Sequence, residues 1–246
     1  MGDTRKVVLV IADISGYTRF MVTNKLEVLH SQVVISELIK TIIDQVEIPL
    51  EVSKLEGDAV FLYSVKDDSK TAWDDTRKAI GGKLIKFFDA FSSKIAELSA
   101  TNLCVCKACK NVTLLKLKVI VHSGDALFYS ISKFQELSGV DVIVAHRLLK
   151  NSVQSDEYIL MTEQAYRDIE FPEKIPVRDG VEEYDEIGKI KTYTYLLSAS
   201  EANISDAKKQ FSIFGKVVHE IAKEYQTALI GLGIKTGPKL NNLRND

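Results

Sequence analysis

The sequence lacks an excess of charge of either sign. It has 32 lysines and arginines against 34 aspartates and glutamates, a formal net charge of −2 at pH 7. Proteins that bind nucleic acid or a membrane surface through charge usually carry a basic excess on some segment, and the sequence has no such block. We therefore predict neither a general nucleic-acid-binding protein nor a membrane-bound one.

The N-terminal segment also lacks a long hydrophobic run. Before Asp13 its longest apolar run is the six residues VVLVIA. These are too few for the apolar region of a signal peptide and far too few to span a bilayer. The sequence therefore predicts a cytoplasmic protein.

Cysteine is scarce, and the three cysteines are crowded into the segment CVCKAC as Cys104, Cys106 and Cys109. An odd number of cysteines at this spacing is unlike a secreted disulfide framework. Zn²⁺ and iron–sulfur sites usually take four soft ligands, so the cluster lacks one ligand unless a partner subunit or a histidine supplies it. The sequence does not choose among His30, His122 and His146.

Two other interpretations of the cysteine cluster stay open. Lys107 and Lys110 would favour the thiolate form, which suits a redox sensor. An exposed loop without chemistry is the third possibility.

The apolar spacing alternates between strand-like and helical patterns. It predicts strands at 6–12 and 157–161, strand pairs around Gly57–Asp58, within 114–131 and within 182–197, and helices within 18–46, within 70–99 and from Gly139. This order contains a βαββαβ core. We therefore predict an α+β, ferredoxin-like fold, an antiparallel sheet with helices packed on one face.

The chain is predicted to have one main domain and an extension. Residues 1–200 would form the domain, with the cysteine segment as an insert at 101–112. Residues 201–246 would form a helical C-terminal extension, with a helix at 211–232 and a loose polar tail.

Two aspartates mark the predicted sheet. Asp13 follows the first strand, and Asp58 occupies the turn of the next two strands. If these strands are neighbours, both carboxylates reach the same edge, where they repel each other unless a cation such as Mg²⁺ lies between them. Each aspartate could also be a simple turn former, because aspartate suits turns.

Four motifs in order resemble the class III nucleotidyl cyclases, the catalytic domains of adenylate and guanylate cyclases. ADISGYTRF resembles the first metal motif of that family, and KLEGDAVFLY resembles the second. VHSGDALF is similar to the hairpin that follows, and GVDVIVAHRLL is similar to the helix with the Asn-x-Ala-x-Arg pattern. The resemblance covers residues 7 to 197.

The resemblance implies a metal-dependent cyclisation of a nucleoside triphosphate. Asp13 and Asp58, helped by the backbone carbonyl of Ile14, would hold two Mg²⁺ or Mn²⁺ ions. One ion would lower the pKa of the ribose 3′-hydroxyl and the other would bind the triphosphate. Attack on the α-phosphate would give cyclic AMP and pyrophosphate from ATP.

The resemblance also assigns residues around the substrate. Lys54 and Glu136 would contact the purine base and favour adenine. Lys189 would contact phosphate, and Arg147 would stabilise the charge that develops during the reaction. In this family the metals and the arginine belong to different subunits, so an active enzyme would be a homodimer.

Two positions depart from the family pattern. Ile143 stands where the family has the asparagine that orients the ribose, and Asp185 falls at or near its phosphate-binding lysine. Losing one such hydrogen-bond donor typically slows a reaction about 10²- to 10³-fold. The second hypothesis is therefore a catalytically degenerate module that binds a nucleotide or metal and regulates, with the cysteine cluster as a possible sensor.

Overall fold

The structure is a computed structural model that describes residues 2–47, 49–66, 70–101 and 106–197. The predicted C-terminal extension and Cys104 lie outside the described residues. The order of elements is β1 (Asp3–Ser15), α1 (Tyr17–Thr23), α2 (Val28–Asp44), β2 (Glu51–Glu56), β3 (Ala59–Val65), α3 (Lys70–Thr101), α4 (Lys107–Asn111), β4 (Lys116–Ile131), β5 (Phe134–Ser138), α5 (Val140–Arg147), β6 (Tyr158–Thr162), α6 (Glu163–Asp168), β7 (Val177–Tyr184) and β8 (Gly188–Leu196).

The strands form a single sheet in the order β2-β3-β1-β4-β6-β8-β7, with β5 paired to β4. The pairs β1/β3, β2/β3, β4/β5, β6/β8 and β7/β8 are antiparallel, whereas β4 and β6 run parallel. The predicted fold class is confirmed, an α+β architecture with helices packed on one face of a multi-stranded sheet. The parallel pair makes the sheet mixed.

The chain divides into two compact units. One, the sheet unit, comprises Met1–Ser15, Ile42–Phe88 and Leu117–Ala199, and contains the sheet. Within the described residues, the other comprises Gly16–Thr41 and Asp89–Lys116, with α1, α4 and most of α2. We call this second one the helical unit.

The core of the sheet unit explains where α5 lies. Alternate residues of β1 point to one face, and Val7, Leu9 and Ile11 pack there with Val144 of α5 and with Leu148 just after that helix, all buried. Burial of these apolar side chains is the main driving force that holds α5 on the sheet. Asp13 continues the same alternation, so its carboxylate lies on the face that α5 covers.

Two boundaries differ from those predicted. β1 continues to Ser15, so Asp13 lies within the strand rather than after it. The predicted strand pair at 114–131 is wrong, because β4 runs without interruption through Gly124 and Asp125, and its hairpin partner is β5. The glycine and aspartate suggested a turn, but this glycine instead admits a close approach of Asp141 from α5.

Among the described residues, no helix is long and apolar enough to cross a membrane.

Candidate functional site

The sheet brings the two predicted metal-binding aspartates together. Asp13 is the register partner of Ala59, the residue after Asp58, and the Ile14 amide donates a hydrogen bond of 3.2 Å to the Asp58 carbonyl oxygen. Asp58 occupies the tight turn between β2 and β3, where Gly57 adopts a positive φ of 69° that glycine accepts without strain. The predicted proximity thus follows from strand pairing plus a two-residue turn.

The electrostatics of this pair suit a bound cation. Partial burial, and secondly the negative charge of Asp13, raise the pKa of the Asp58 carboxyl to about 6. A divalent cation would relieve this repulsion, and carboxylate oxygens are the donors that Mg²⁺ and Mn²⁺ prefer. The residues present therefore fit such an ion, which Asp13 and Asp58 would hold. The role of the Ile14 carbonyl stays a prediction.

Lys118 of β4 lies beside the aspartate pair, a contact that the sequence did not predict. Its ammonium nitrogen lies 3.0 Å from Asp13 Oδ2, and the two side chains are only 20% and 14% exposed. It also donates to the Leu149 carbonyl oxygen at 3.3 Å. Lys118 thus supplies one positive charge against two carboxylates, which leaves the site with a net negative charge.

Lys54 and Glu136, the predicted purine-reading pair, meet although they are far apart in sequence. Lys54 Nζ lies 3.4 Å from Glu136 Oε2 and 3.3 Å from Glu56 Oε1. The pairing register of β2 shifts between Val52 and Lys54, so Lys54 rather than Ser53 stands opposite Phe61. This bulge turns Lys54 to the face that α5 covers.

Glu56 links Lys54 to α5. The His146 ring nitrogen Nε2 lies 3.0 Å from Glu56 Oε2, and the ring packs edge-on against Phe61. The hydrogen bond to Glu56 raises the pKa of His146 against the effect of burial. In return the hydrogen bond with His146 lowers the pKa of Glu56. The raised pKa of His146 and the lowered pKa of Glu56 both favour a charged imidazolium–carboxylate pair.

The pKa of Lys54 is raised in this network. Burial alone would lower it, but the charges of Glu136 and Glu56 outweigh that effect. Lys54 is therefore a charged donor held between two carboxylates. Its predicted role as a purine contact stays a prediction.

A clamp at the N-terminal end of α5 fixes the position of that helix. The Asp141 carboxylate accepts a hydrogen bond of 2.7 Å from the Asp125 amide and lies 2.9 Å from His122 Nε2. His122 is buried, and burial lowers its pKa despite Asp141. A Cβ at Gly124 would come within 2.1 Å of Asp141 Cγ, so this position of β4 requires glycine.

The outer face of α5 carries Ile143 and Arg147, one turn apart. Ile143 is 53% exposed, so the position expected to hold the ribose-orienting asparagine presents an apolar side chain to solvent. Arg147 is 56% exposed and lies 3.9 Å from Glu186. Both line a shallow groove of about 290 Å³ with Val142, His146 and Lys150.

The other two residues singled out in the sequence lie in or next to the turn between β7 and β8. Asp185 is exposed in this turn. Lys189 follows it in β8, is 70% exposed, and has its Nζ 4.0 Å from Glu183. The predicted contact of Lys189 with phosphate stays a prediction.

In the helical unit, two of the predicted cysteines meet one of the three candidate histidines. His30 Nδ1 lies 3.4 Å from Cys106 Sγ, and the donor atoms of His30, Cys106 and Cys109 all lie within 4.8 Å of one another. His122 and His146 belong to the sheet unit and bond to Asp141 and Glu56. The sequence could not make this choice, because 76 residues separate His30 from Cys106.

Residues 35–158 match the model of a family described as protein of unknown function (DUF2652). The chain is similar to the uncharacterized protein Rv2561/Rv2562 of Mycobacterium tuberculosis, with 24% identity over 200 residues, 81% of this chain and 90% of that protein.

Among solved structures, the chain is similar to the adenylyl cyclase CyaB from P. aeruginosa, with 15% identity, a TM-score of 0.58, and coverage of 82% of this chain and 98% of that one. It is also similar to the guanylyl cyclase Cya2, with 12% identity, a TM-score of 0.53, and coverage of 81% and 97%. At these identities the likeness establishes the fold, which is that of class III adenylyl and guanylyl cyclase catalytic domains.

Proposed function

We propose that this chain, which belongs to the DUF2652 family, is a metal-dependent nucleotidyl cyclase that forms cyclic AMP and pyrophosphate from ATP as a homodimer. One observation carries the proposal. In a cyclase fold, Asp13 and Asp58 lie close together, next to the hydrogen bond from the Ile14 amide to the Asp58 carbonyl oxygen. Burial and the negative charge of Asp13 together raise the pKa of Asp58 to about 6. Two partly buried carboxylates without a cation are electrostatically unfavourable.

Asp13 and Asp58 would hold Mg²⁺ or Mn²⁺, which when bound activates the ribose hydroxyl and neutralises the triphosphate. Lys118 holds the Asp13 carboxylate at 3.0 Å and so limits its rotation. Fixing a ligand before substrate binds lowers the entropy lost in reaching the reactive geometry.

Lys54 and Glu136 are the proposed base contacts. They offer one charged donor and one acceptor 3.4 Å apart, a pattern that the edge of a purine can complement. Glu56 and His146 hold Lys54 in place from the other side. The preference for adenine rests on the cyclase resemblance, and competition between ATP and GTP would test it.

A second copy of the chain would complete the site. Arg147 lies on the exposed face of α5 beside Ile143 and Val140, two apolar side chains that are 53% and 70% exposed. Exposed apolar groups next to a functional arginine suit a protein–protein contact. This supports an arrangement in which Arg147 of each subunit serves the metals of the other.

A module that binds ATP without turning it over is the second candidate. Ile143 favours it, because an exposed isoleucine cannot donate the hydrogen bond that the family uses to orient the ribose. Such a module would keep the Asp13–Asp58 site and the Lys54–Glu136 pair, and would report nucleotide through its dimer.

The test incubates the purified full chain with Mn²⁺ and either ATP or GTP. Mass spectrometry then detects any cyclic nucleotide that is formed. The cyclase proposal expects cyclic AMP that disappears in Asp58→Ala and persists in Asp179→Ala, a matched change to an exposed aspartate of β7. Binding of ATP with Mn²⁺, lost in Asp58→Ala but without product, would identify the second candidate. Absence of both binding and product would refute both.

A further inference from the structure

We propose that the helical unit holds a Zn²⁺ ion through His30, Cys106 and Cys109. This site lies outside the residues that would bind nucleotide, and it does not depend on the proposed cyclase activity. It rests on a side-chain cluster in which one imidazole nitrogen and two thiol sulfurs all approach within 4.8 Å of one another.

Local structure explains how the two cysteines come to face the same way. Cys106 is the residue immediately before α4, with extended backbone angles, and Cys109 lies three residues further on within that helix. Residues three apart share a helix face. Cys109 is 4% exposed, whereas Cys106 and His30 are half-buried. His30, near the beginning of α2, approaches this face from a distant part of the sequence.

The separation of His30 and Cys106 is close to that of two ligands in a tetrahedral zinc site. With Zn–S bonds of about 2.3 Å and Zn–N bonds of about 2.0–2.1 Å, tetrahedral angles place a nitrogen and a sulfur ligand about 3.6 Å apart, and two sulfurs about 3.8 Å apart. The His30 Nδ1 to Cys106 Sγ distance is 3.4 Å, and all three donor atoms lie within 4.8 Å of one another. Small rotations of these side chains would bring all three donors to bonding distance.

The chemistry of the donors selects the metal. Thiolate sulfur and imidazole nitrogen are the ligands that Zn²⁺ takes in proteins, whereas Mg²⁺ and Mn²⁺ prefer carboxylate oxygen. The cysteine–histidine cluster and the aspartate pair would therefore not compete for one ion, since Asp13 and Asp58 offer only oxygen. Binding at the cluster requires thiolates and a neutral imidazole, so it releases protons.

Solvent can reach the cluster. A surface groove of about 350 Å³ is lined by Leu26, Glu27, Val28, Leu29, His30 and Cys106. A metal ion can therefore enter without unfolding of α2 or α4. The bound ion would connect two segments that are 76 residues apart in sequence, and such a cross-link restricts the unfolded chain strongly. Loss of zinc should accordingly lower the thermal stability of the protein.

The first measurement is the metal content of the full chain, purified without chelator under anaerobic conditions. We expect about one Zn²⁺ per chain, and after replacement of zinc by Co²⁺ a thiolate-to-cobalt charge-transfer band. Removal of zinc by a chelator should lower the melting temperature, and added Zn²⁺ should restore it. Wild-type protein with reduced thiols that binds neither Zn²⁺ nor Co²⁺ would overturn the proposal.

Variants then locate the site. His30→Asn and the double variant Cys106→Ser, Cys109→Ser should each lose at least about tenfold in zinc affinity, the lower end of what a lost metal ligand or its support produces. Lys110→Ala, an exposed change in the same helix that leaves the donors intact, should keep zinc. Asp58→Ala should also keep zinc, although the cyclase proposal expects it to lose cyclic AMP formation, so this variant tests the two proposals separately. Unchanged zinc affinity in both ligand variants, or a Cys106–Cys109 disulfide in place of metal, would refute the site.

Discussion

Replacement of Asp58 by asparagine should make the metal-free protein more stable. The raised pKa of Asp58, about 6 against 3.8 for an ordinary aspartate, means that ionisation of this group disfavours the folded state. A shift of this size corresponds to at most about 3 kcal/mol. Because the carboxylate is only half-buried, solvent screening reduces this to about 1–1.5 kcal/mol. For a chain of this length that is about 3–5 °C in melting temperature.

The sign of the pH dependence follows from the direction of the shift. A carboxyl whose folded-state pKa is raised contributes its stability below the unfolded pKa, and that contribution is lost as the pH rises through the folded pKa of about 6. Asparagine resembles the protonated carboxyl at every pH. The advantage of Asp58→Asn should therefore be largest above about pH 7 and vanish near about pH 4.

Thermal denaturation of the wild type and Asp58→Asn with chelator across this pH range measures their difference in melting temperature. Repeating the measurement with Mn²⁺ tests whether repulsion between Asp13 and Asp58 causes that difference. Mn²⁺ should stabilise the wild type by relieving the repulsion between Asp13 and Asp58, but should leave Asp58→Asn unchanged. Asp179→Asn, an exposed change, should follow the wild type throughout. The reasoning is refuted if Asp58→Asn is no more stable than the wild type at neutral pH, or if its advantage persists at about pH 4.

Three further predictions concern α5 and the elements that hold it. Gly124→Ala should destabilise the protein by about 2–3 kcal/mol in urea denaturation, because the added Cβ would lie 2.1 Å from the Asp141 side chain of α5. As a control, Gly82→Ala should be neutral or slightly stabilising, because the nearest atom to its added Cβ would be 3.8 Å away. His146→Gln should lower the free energy of unfolding by about 1 kcal/mol near pH 6. Because Glu56 raises the pKa of His146 in the folded protein, this loss should shrink as the pH rises through that pKa. A loss that stays constant with pH would contradict the His146–Glu56 ion pair. Ile143→Asn should raise cyclase turnover about 10²-fold if the ribose contact is the missing element, and an unchanged rate would place the defect elsewhere.

The sequence predicted that Asp13 and Asp58 lie close together, because their proximity is local to strand pairing. Once β1 and β3 are neighbours, Asp13 must lie beside the turn that carries Asp58. Lys118 escaped prediction because a lysine in a strand resembles any solvent-facing lysine. Its burial at 20% exposure depends on Asp13 of another strand, a pairing that no local pattern reveals.

Gly124 illustrates a different limit. Glycine followed by aspartate within an apolar segment is a common turn signal, and it predicted two strands where the structure has one. The glycine is instead required by the close approach of Asp141 from α5. A glycine that admits a neighbouring side chain and a glycine that permits a positive φ look identical in sequence.

The position of α5 bears on whether catalysis survives. Its N-terminal end is held by the bonds of Asp141 to His122 and to the Asp125 amide, and its other end by the His146–Glu56 pair. A helix fixed at both ends presents Arg147 at a defined position whatever residue occupies position 143. The departure from the cyclase pattern at Ile143 is thus a change of one exposed side chain on an intact support. If turnover is low because the ribose contact is missing, we expect Ile143→Asn to raise it, because the backbone that would position this contact is already in place.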